Sequence, residues 1–164
     1  MAKKLTPQVI ALSGILAAII FLATYLFKIP MPPTGYVHLG DGFILLSAAV
    51  LGWPAVLAAG LGSMLADLLA GYTLYMLPTF LIKAAMAAIA VFAARRETTV
   101  RQILFMLLAE LFMVAGYFVT EWLILGYGWA AATGGLIGNV MQGLSGIAVW
   151  VVLTPVVGRL HIKR

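Results

Sequence analysis

Between residues 8 and 28 the chain carries no charged side chain until Lys28, and a run of about 17 to 25 apolar residues is the length of one transmembrane helix. Runs of the same kind recur over residues 79–94, 101–126 and 133–160. The stretch 40–72, roughly 33 residues, is too long for one span. Gly52, Trp53 and Pro54 divide it, because Pro starts helices well and disfavours helix just before itself, which leaves a short second helix and a normal third. With 64% hydrophobic residues, 9% charged and a mean hydropathy of +1.12, the 164-residue chain lies far from soluble globular composition. The expectation is an all-α integral membrane protein, one domain over residues 1–164, with six transmembrane helices in the cell membrane.

Positive charge tests that count, because Lys and Arg gather on the cytoplasmic side of short loops. Lys3 and Lys4, then Arg95, Arg96 and Arg101, then Arg159, Lys163 and Arg164 form three basic clusters. Six spans put all three on one side, with the N and C termini cytoplasmic. The leading Lys pair resembles the start of a signal peptide, but no small-residue cleavage site follows cleanly, so it reads as an uncleaved first helix. The net charge of +5 then needs no nucleic-acid partner.

Chemistry of the catalytic kind has little to stand on. There is no Walker-type phosphate loop, no Cys, no clustering of His and carboxylates for a metal, and no Ser, His and carboxylate constellation, since His161 lies far from His38. Neither a cofactor nor an enzyme is expected, and an energy source must come from a partner or an ion gradient.

The loops over 29–39, 71–78 and 127–132 fall on the outer side in this topology and carry Tyr36, Tyr72, Tyr75, Tyr127 and Trp129. These rings either form the interfacial aromatic belt or stack on a planar ligand. The first loop, running from Pro33 and Thr34 through Tyr36 and His38 to Asp41, is polar sequence between membrane-length runs. Irregular backbone there reads as a cover over a site, or as a solvated connector.

Charges inside spans are costly and suggest function. Asp67, Lys83 and Glu121 each lie roughly 7 to 9 Å below the outer end of a helix at 1.5 Å per residue. Asn139 and Gln142 share one face of the last helix, a turn or two deeper. Tyr36, His38, Asp41, Asp67, Tyr75, Lys83, Glu121, Asn139 and Gln142 are therefore the candidate substrate-binding residues. Plainer roles stand beside these: an Asp67–Lys83 ion pair joining two helices, Asp41 as a cap on the second helix, a hydrogen-bonded structural His38, and interhelical hydrogen bonds for Asn139 and Gln142. Glu110, nearer the membrane middle among hydrophobic neighbours, has no assigned role.

Small residues four apart let helix backbones approach closely. In the third helix Ala58, Gly62 and Ala66 suit packing within the bundle. Helix one, almost wholly apolar and apart from the polar helices in this reading, presents Ser13, Gly14, Ala17 and Ala18, a face suited to another subunit.

The sequence TGYVHLGDGFILLSAAVLGWPAVLAAGLGSMLADLLAGY followed by LPTFLIKAAMA resembles the membrane substrate-binding (S) components of energy-coupling factor (ECF) vitamin transporters, in particular the riboflavin-transporter-like group that includes pyridoxine and hydroxymethylpyrimidine S components. The likeness extends over essentially the whole chain and is sharpest from Thr34 to Lys83. It implies six helices, one vitamin or precursor bound from outside, and association with a transmembrane coupling subunit and two cytoplasmic ATPases. It also implies docking through the small face of helix one, where an Ala-x-x-x-Ala pattern is replaced here by Gly14 and Ala18, with Ser13 and Ala17 beside them. A B6 vitamer or hydroxymethylpyrimidine is the favoured ligand, ahead of riboflavin or a queuosine precursor. The alternatives from other classes are a self-sufficient ion-coupled carrier or channel, and a small membrane enzyme.

Overall fold

The computed structural model describes residues 6–31, 35–93 and 99–159. Helix α1, Pro7–Leu26, opens with Pro7 in its first turn and with the Thr6 hydroxyl accepting the Val9 N–H at 3.3 Å. After it the chain forms a small antiparallel ribbon, β1 Ile29–Pro30 against β2 Tyr36–Val37, with Ile29 opposite Val37. The helical expectation holds for the body of the protein, and this short ribbon is an addition to it that gives main-chain groups of an otherwise irregular loop their partners.

The break at residues 52–54 falls where Gly, Trp and Pro place it. Helix α2 covers Gly40–Leu51, and α3, Pro54–Ala70, begins at the proline. Gly71, at φ 84°, ends α3 in the left-handed region that glycine takes without strain, and the next amide, Tyr72 N–H, returns to the Asp67 carbonyl at 2.9 Å. That turn sets Tyr72 and Asp67 at one end of the bundle. A 3-10 turn, Thr73–Tyr75, leads into α4, Met76–Ala93. Helix α5, Thr99–Val119, passes into a π turn, Thr120–Ile124, marked by Leu125 N–H bonding to the Thr120 carbonyl at 2.8 Å. Helix α6 runs over Trp129–Arg159.

Among the described residues four helical stretches, Pro7–Leu26, Thr73–Ala93, Val100–Ile124 and Trp129–Val156, are long and apolar enough to cross a membrane. Helices α2 and α3 are apolar but shorter. At 1.5 Å per residue the 12 residues of α2 extend about 18 Å, against a hydrocarbon core of about 30 Å.

On α3 small residues face inward and large ones outward, the pattern of a helix that meets its neighbours through backbone contact and lipid through side chains. On α3, Ala58, Gly62 and Ala66 are buried, while Leu57, Leu61, Leu65 and Leu68 are exposed. A Cβ at Gly62 would lie 2.5 Å from the Ala17 carbonyl oxygen, so only glycine permits this seating of α1 on α3. This corrects the picture of α1 standing apart from the polar helices: it packs on α2 and α3 and buries Ile20, Ala23 and Thr24. Of its small residues, Gly14 and Ala18 face outward and Ser13 and Ala17 are half-buried. The readings on Lys3, Lys4, Pro33, Thr34, Arg95, Arg96, His161, Lys163 and Arg164, and on the Arg159 side chain, lie outside the described residues.

Candidate functional site

At the ribbon end of the bundle, α1, the ribbon, α3, α4, α5 with its π turn, and α6 surround a cavity of about 40 Å³. Its polar lining comes from Asp67 on α3, Glu121 on the π turn, Asn139 and Gln142 on α6, and His38 just before α2. Tyr36, Tyr72, Tyr75 and Tyr117 supply its rings. These are linked: Tyr36 lies 5.0 Å from Tyr72, Tyr72 6.1 Å from Tyr75, and Tyr75 6.4 Å from both Tyr117 and Tyr127, ring centre to ring centre.

Two carboxylates each accept a tyrosine hydroxyl. Tyr36 OH donates to Asp67 Oδ1 at 2.6 Å, fastening the ribbon to α3. Tyr75 OH donates to Glu121 Oε1 at 3.1 Å, joining the α3–α4 turn to the π turn. Burial above all, and then the neighbouring Asp67, push the Tyr36 phenol well above its usual range, which keeps it a donor. The π turn brings both Thr120 and Glu121 inward, consecutive residues that an ordinary helix would spread by about 100°.

His38 is buried at 6% exposure, and its Nδ1 accepts the Gly40 N–H at 3.0 Å. Burial, assisted by Lys83 and opposed by Asp41, pulls its imidazole down to about 4, so the ring is neutral and carries its proton on Nε2. This ring, rather than Asp41, caps α2. Asp41 lies inside the helix, and the N-cap residue Leu39 makes no side-chain cap bond.

The Asp67–Lys83 pair, one of the two readings of these residues, is not formed either. Lys83 Nζ donates to Asp41 Oδ1 at 2.5 Å, both side chains being fully buried, and lies 5.3 Å from the Tyr117 ring centre. Gln142 Nε2 donates to the other Asp41 oxygen at 2.8 Å. The reason is packing: the first turn of α2 meets α4 and α6, which puts Asp41 nearer Lys83 than Asp67 is. Asp41 and Lys83 do not line the cavity; they form a charged plug behind it, reached through Gln142. Glu110 belongs to the same region. A Cβ on Gly146 would lie 2.7 Å from Glu110 Oε1 and 2.9 Å from the Asp41 Cβ, and neither Glu110 oxygen has a hydrogen-bond partner among the described residues.

Of the candidates read from sequence, Tyr36, His38, Asp67, Tyr75, Glu121, Asn139 and Gln142 thus share one cavity, whereas Asp41 and Lys83 stand behind it. Several lining residues escaped the sequence reading. Tyr117 lies one turn before Glu121, Thr79 one turn before Lys83, and the two hydroxyls meet at 3.0 Å. Gly135, Gly138, Asn139 and Gln142 form a stripe at helical spacing, a signal present in the sequence. Thr24 of α1 also lines the cavity and gives no periodic signal.

Among the described residues no three His, Cys, Asp or Glu side chains group as metal ligands. Paired acceptors, amides and rings around a small cavity suit the capture of a polar, planar molecule.

Comparisons with known proteins show the family. The family model for the S component of ECF-type riboflavin transporters matches residues 4–159. The thiamine precursor transporter HmpT of Lactococcus lactis subsp. cremoris (strain MG1363) is 32% identical over 163 residues, 98% of this chain and 90% of the relative. The solved structure of the S component of a bacterial ECF transporter superposes with a TM-score of 0.74 over 96% of this chain and 98% of that one, at 19% identity. The chain belongs to the family of ECF transporter S components, and is an integral membrane transport subunit rather than an enzyme.

Proposed function

We propose that this chain captures a thiamine precursor, hydroxymethylpyrimidine, from outside the cell and delivers it within an ATP-driven ECF importer. The observation that carries the reading is the cavity itself, in which Asp67 and Glu121, the Asn139 and Gln142 amides and linked tyrosine rings converge. A single aminopyrimidine ring offers N–H donors to carboxylates, ring nitrogens to amide donors, and a flat face to tyrosines. The likeness to a thiamine precursor transporter supports the pyrimidine over a B6 vitamer.

In this reading all six helices cross the membrane, α2 being accommodated by its neighbours, with both termini cytoplasmic and the ribbon end facing outward. The coupling subunit meets α1 at Gly14 and Ala18, and two cytoplasmic ATPases supply the energy.

Calorimetric titration of the purified protein in detergent with hydroxymethylpyrimidine, pyridoxine and riboflavin tests the ligand. Saturable binding of the pyrimidine is expected, weakened about tenfold or more in Glu121→Gln and Asp67→Asn, each of which removes a charged acceptor. Tighter binding of either other vitamin, or unchanged affinity in both variants, overturns the assignment. Uptake by proteoliposomes holding this chain alone under an ion gradient would favour a self-sufficient carrier instead.

A further inference from the structure

A hydroxyl inside an apolar helix has a default partner, the carbonyl one turn back along the same helix. This protein uses it repeatedly. Ser13 donates to the Val9 carbonyl at 2.7 Å, Ser47 to Phe43 at 2.7 Å, Thr133 to Trp129 at 2.9 Å and Thr154 to Trp150 at 2.6 Å. Thr24 of α1 breaks the pattern. The residue is 1% exposed, and its hydroxyl makes no hydrogen bond among the described residues.

Its surroundings place the residue at the edge of the site. Thr24 lines the cavity together with Tyr36, His38 and Gln142. A Cβ added to Gly40 would collide with Thr24 Oγ1 and lie 3.0 Å from His38 Nδ1, so the hydroxyl and the imidazole stand side by side over the start of α2. The nearby amide and ring nitrogen are engaged with each other, since Gly40 N–H donates to His38 Nδ1. Ser63 is another buried hydroxyl without a partner among the described residues, but it does not line the cavity, whereas Thr24 does.

Leaving a buried hydroxyl unpaired is destabilising, and Val or Ala at this position would avoid that. We infer that Thr24 is a ligand-binding residue, its hydroxyl hydrogen-bonding a ring nitrogen or polar substituent of the captured heterocycle. The inference rests on the reading of the cavity as the hydroxymethylpyrimidine site. It extends that site to α1, which the sequence reading kept for partner docking alone.

The test is titration of hydroxymethylpyrimidine into the purified wild-type chain, Thr24→Val and Thr24→Ser, with thermal melting of each without ligand. Thr24→Val keeps the branched shape and removes the hydroxyl; Thr24→Ser keeps the hydroxyl. Thr24→Val is expected to bind about 5- to 10-fold more weakly with an unchanged or raised Tm, while Thr24→Ser stays within about 3-fold of wild type. Equal binding by Thr24→Val overturns the inference while leaving the ligand reading intact. A Tm lowered in both variants, with affinity falling in parallel, also overturns it, since that is the mark of a packing role. No binding by the wild-type chain overturns the ligand reading, and this inference with it.

Discussion

His38 shows how much one loop residue can decide. Its Nδ1 holds the first amide of α2, and the ring stays neutral because burial disfavours its charged form and pulls it down to about 4. An unfolded chain titrates this imidazole near 6.5, so between roughly 6.5 and 4 the unfolded state binds more protons than the folded one. The stabilisation is fully present above that window and is lost as pH falls through it, by a total on the order of 3 kcal/mol. Melting the protein in detergent from pH 7.5 to 4.5 is expected to show this acid loss, and His38→Asn, whose side-chain oxygen can accept the same amide without titrating, is expected to flatten it. An identical slope in His38→Asn would assign the acid loss elsewhere. The imidazole and a hydrogen-bonded structural role for it were visible in the sequence, but the amide it holds was not, because capping and lining are set by where α2 begins. The same holds for Asp41, Lys83 and Gln142. They are separated by 42 and 101 positions along the chain and join only when α2, α4 and α6 meet. Each was legible as costly polar matter in an apolar run, but the choice of Lys83 for Asp41 over Asp67 depends on helix packing that composition does not encode.

At the scale of elements, the helices were largely legible because a membrane-length apolar run and a Gly-Trp-Pro break are local signals. The ribbon, the π turn and the inward role of α1 were not. Register in a two-residue ribbon, one added residue in a helical turn, and the burial of Thr24 on an otherwise apolar helix all follow from contacts with other elements. Gly62 ties the two kinds of information together: its small-residue spacing was readable, and its partner, the Ala17 carbonyl, required the fold. Gly62→Ala places a methyl 2.5 Å from that oxygen, so α1 must move away from α3. A destabilisation of about 1 to 3 kcal/mol is expected, with little change for Leu61→Ala on the exposed face of the same helix. Equal melting curves for Gly62→Ala and wild type would mean that α1 seats elsewhere. Because α1 also carries Thr24, this variant is expected to weaken ligand binding together with stability.

For the whole molecule, the decisive question is how a chain with no ATP-binding motif obtains energy, and the answer proposed is a contact on the side of α1 turned away from its own bundle. Gly14 and Ala18 are exposed on that side, and a Cβ on Gly14 would meet nothing within 4 Å. A side chain added at Gly14 starts in open space, in contrast to Gly62. Close helix contact across a small-residue face tolerates no such bulk. Gly14→Trp and Ala18→Trp are therefore expected to leave hydroxymethylpyrimidine binding by the isolated protein within about 2-fold of wild type, since neither position reaches the cavity. In cells or proteoliposomes that also contain the coupling subunit and ATPases, uptake is expected to fall by about tenfold or more, with loss of copurification with those subunits. The two readouts separate capture from delivery. Wild-type uptake by both variants would move the docking surface off this face of α1. Loss of binding by the isolated variants would instead show that the face supports the cavity, and that capture and coupling are not separable in this fold.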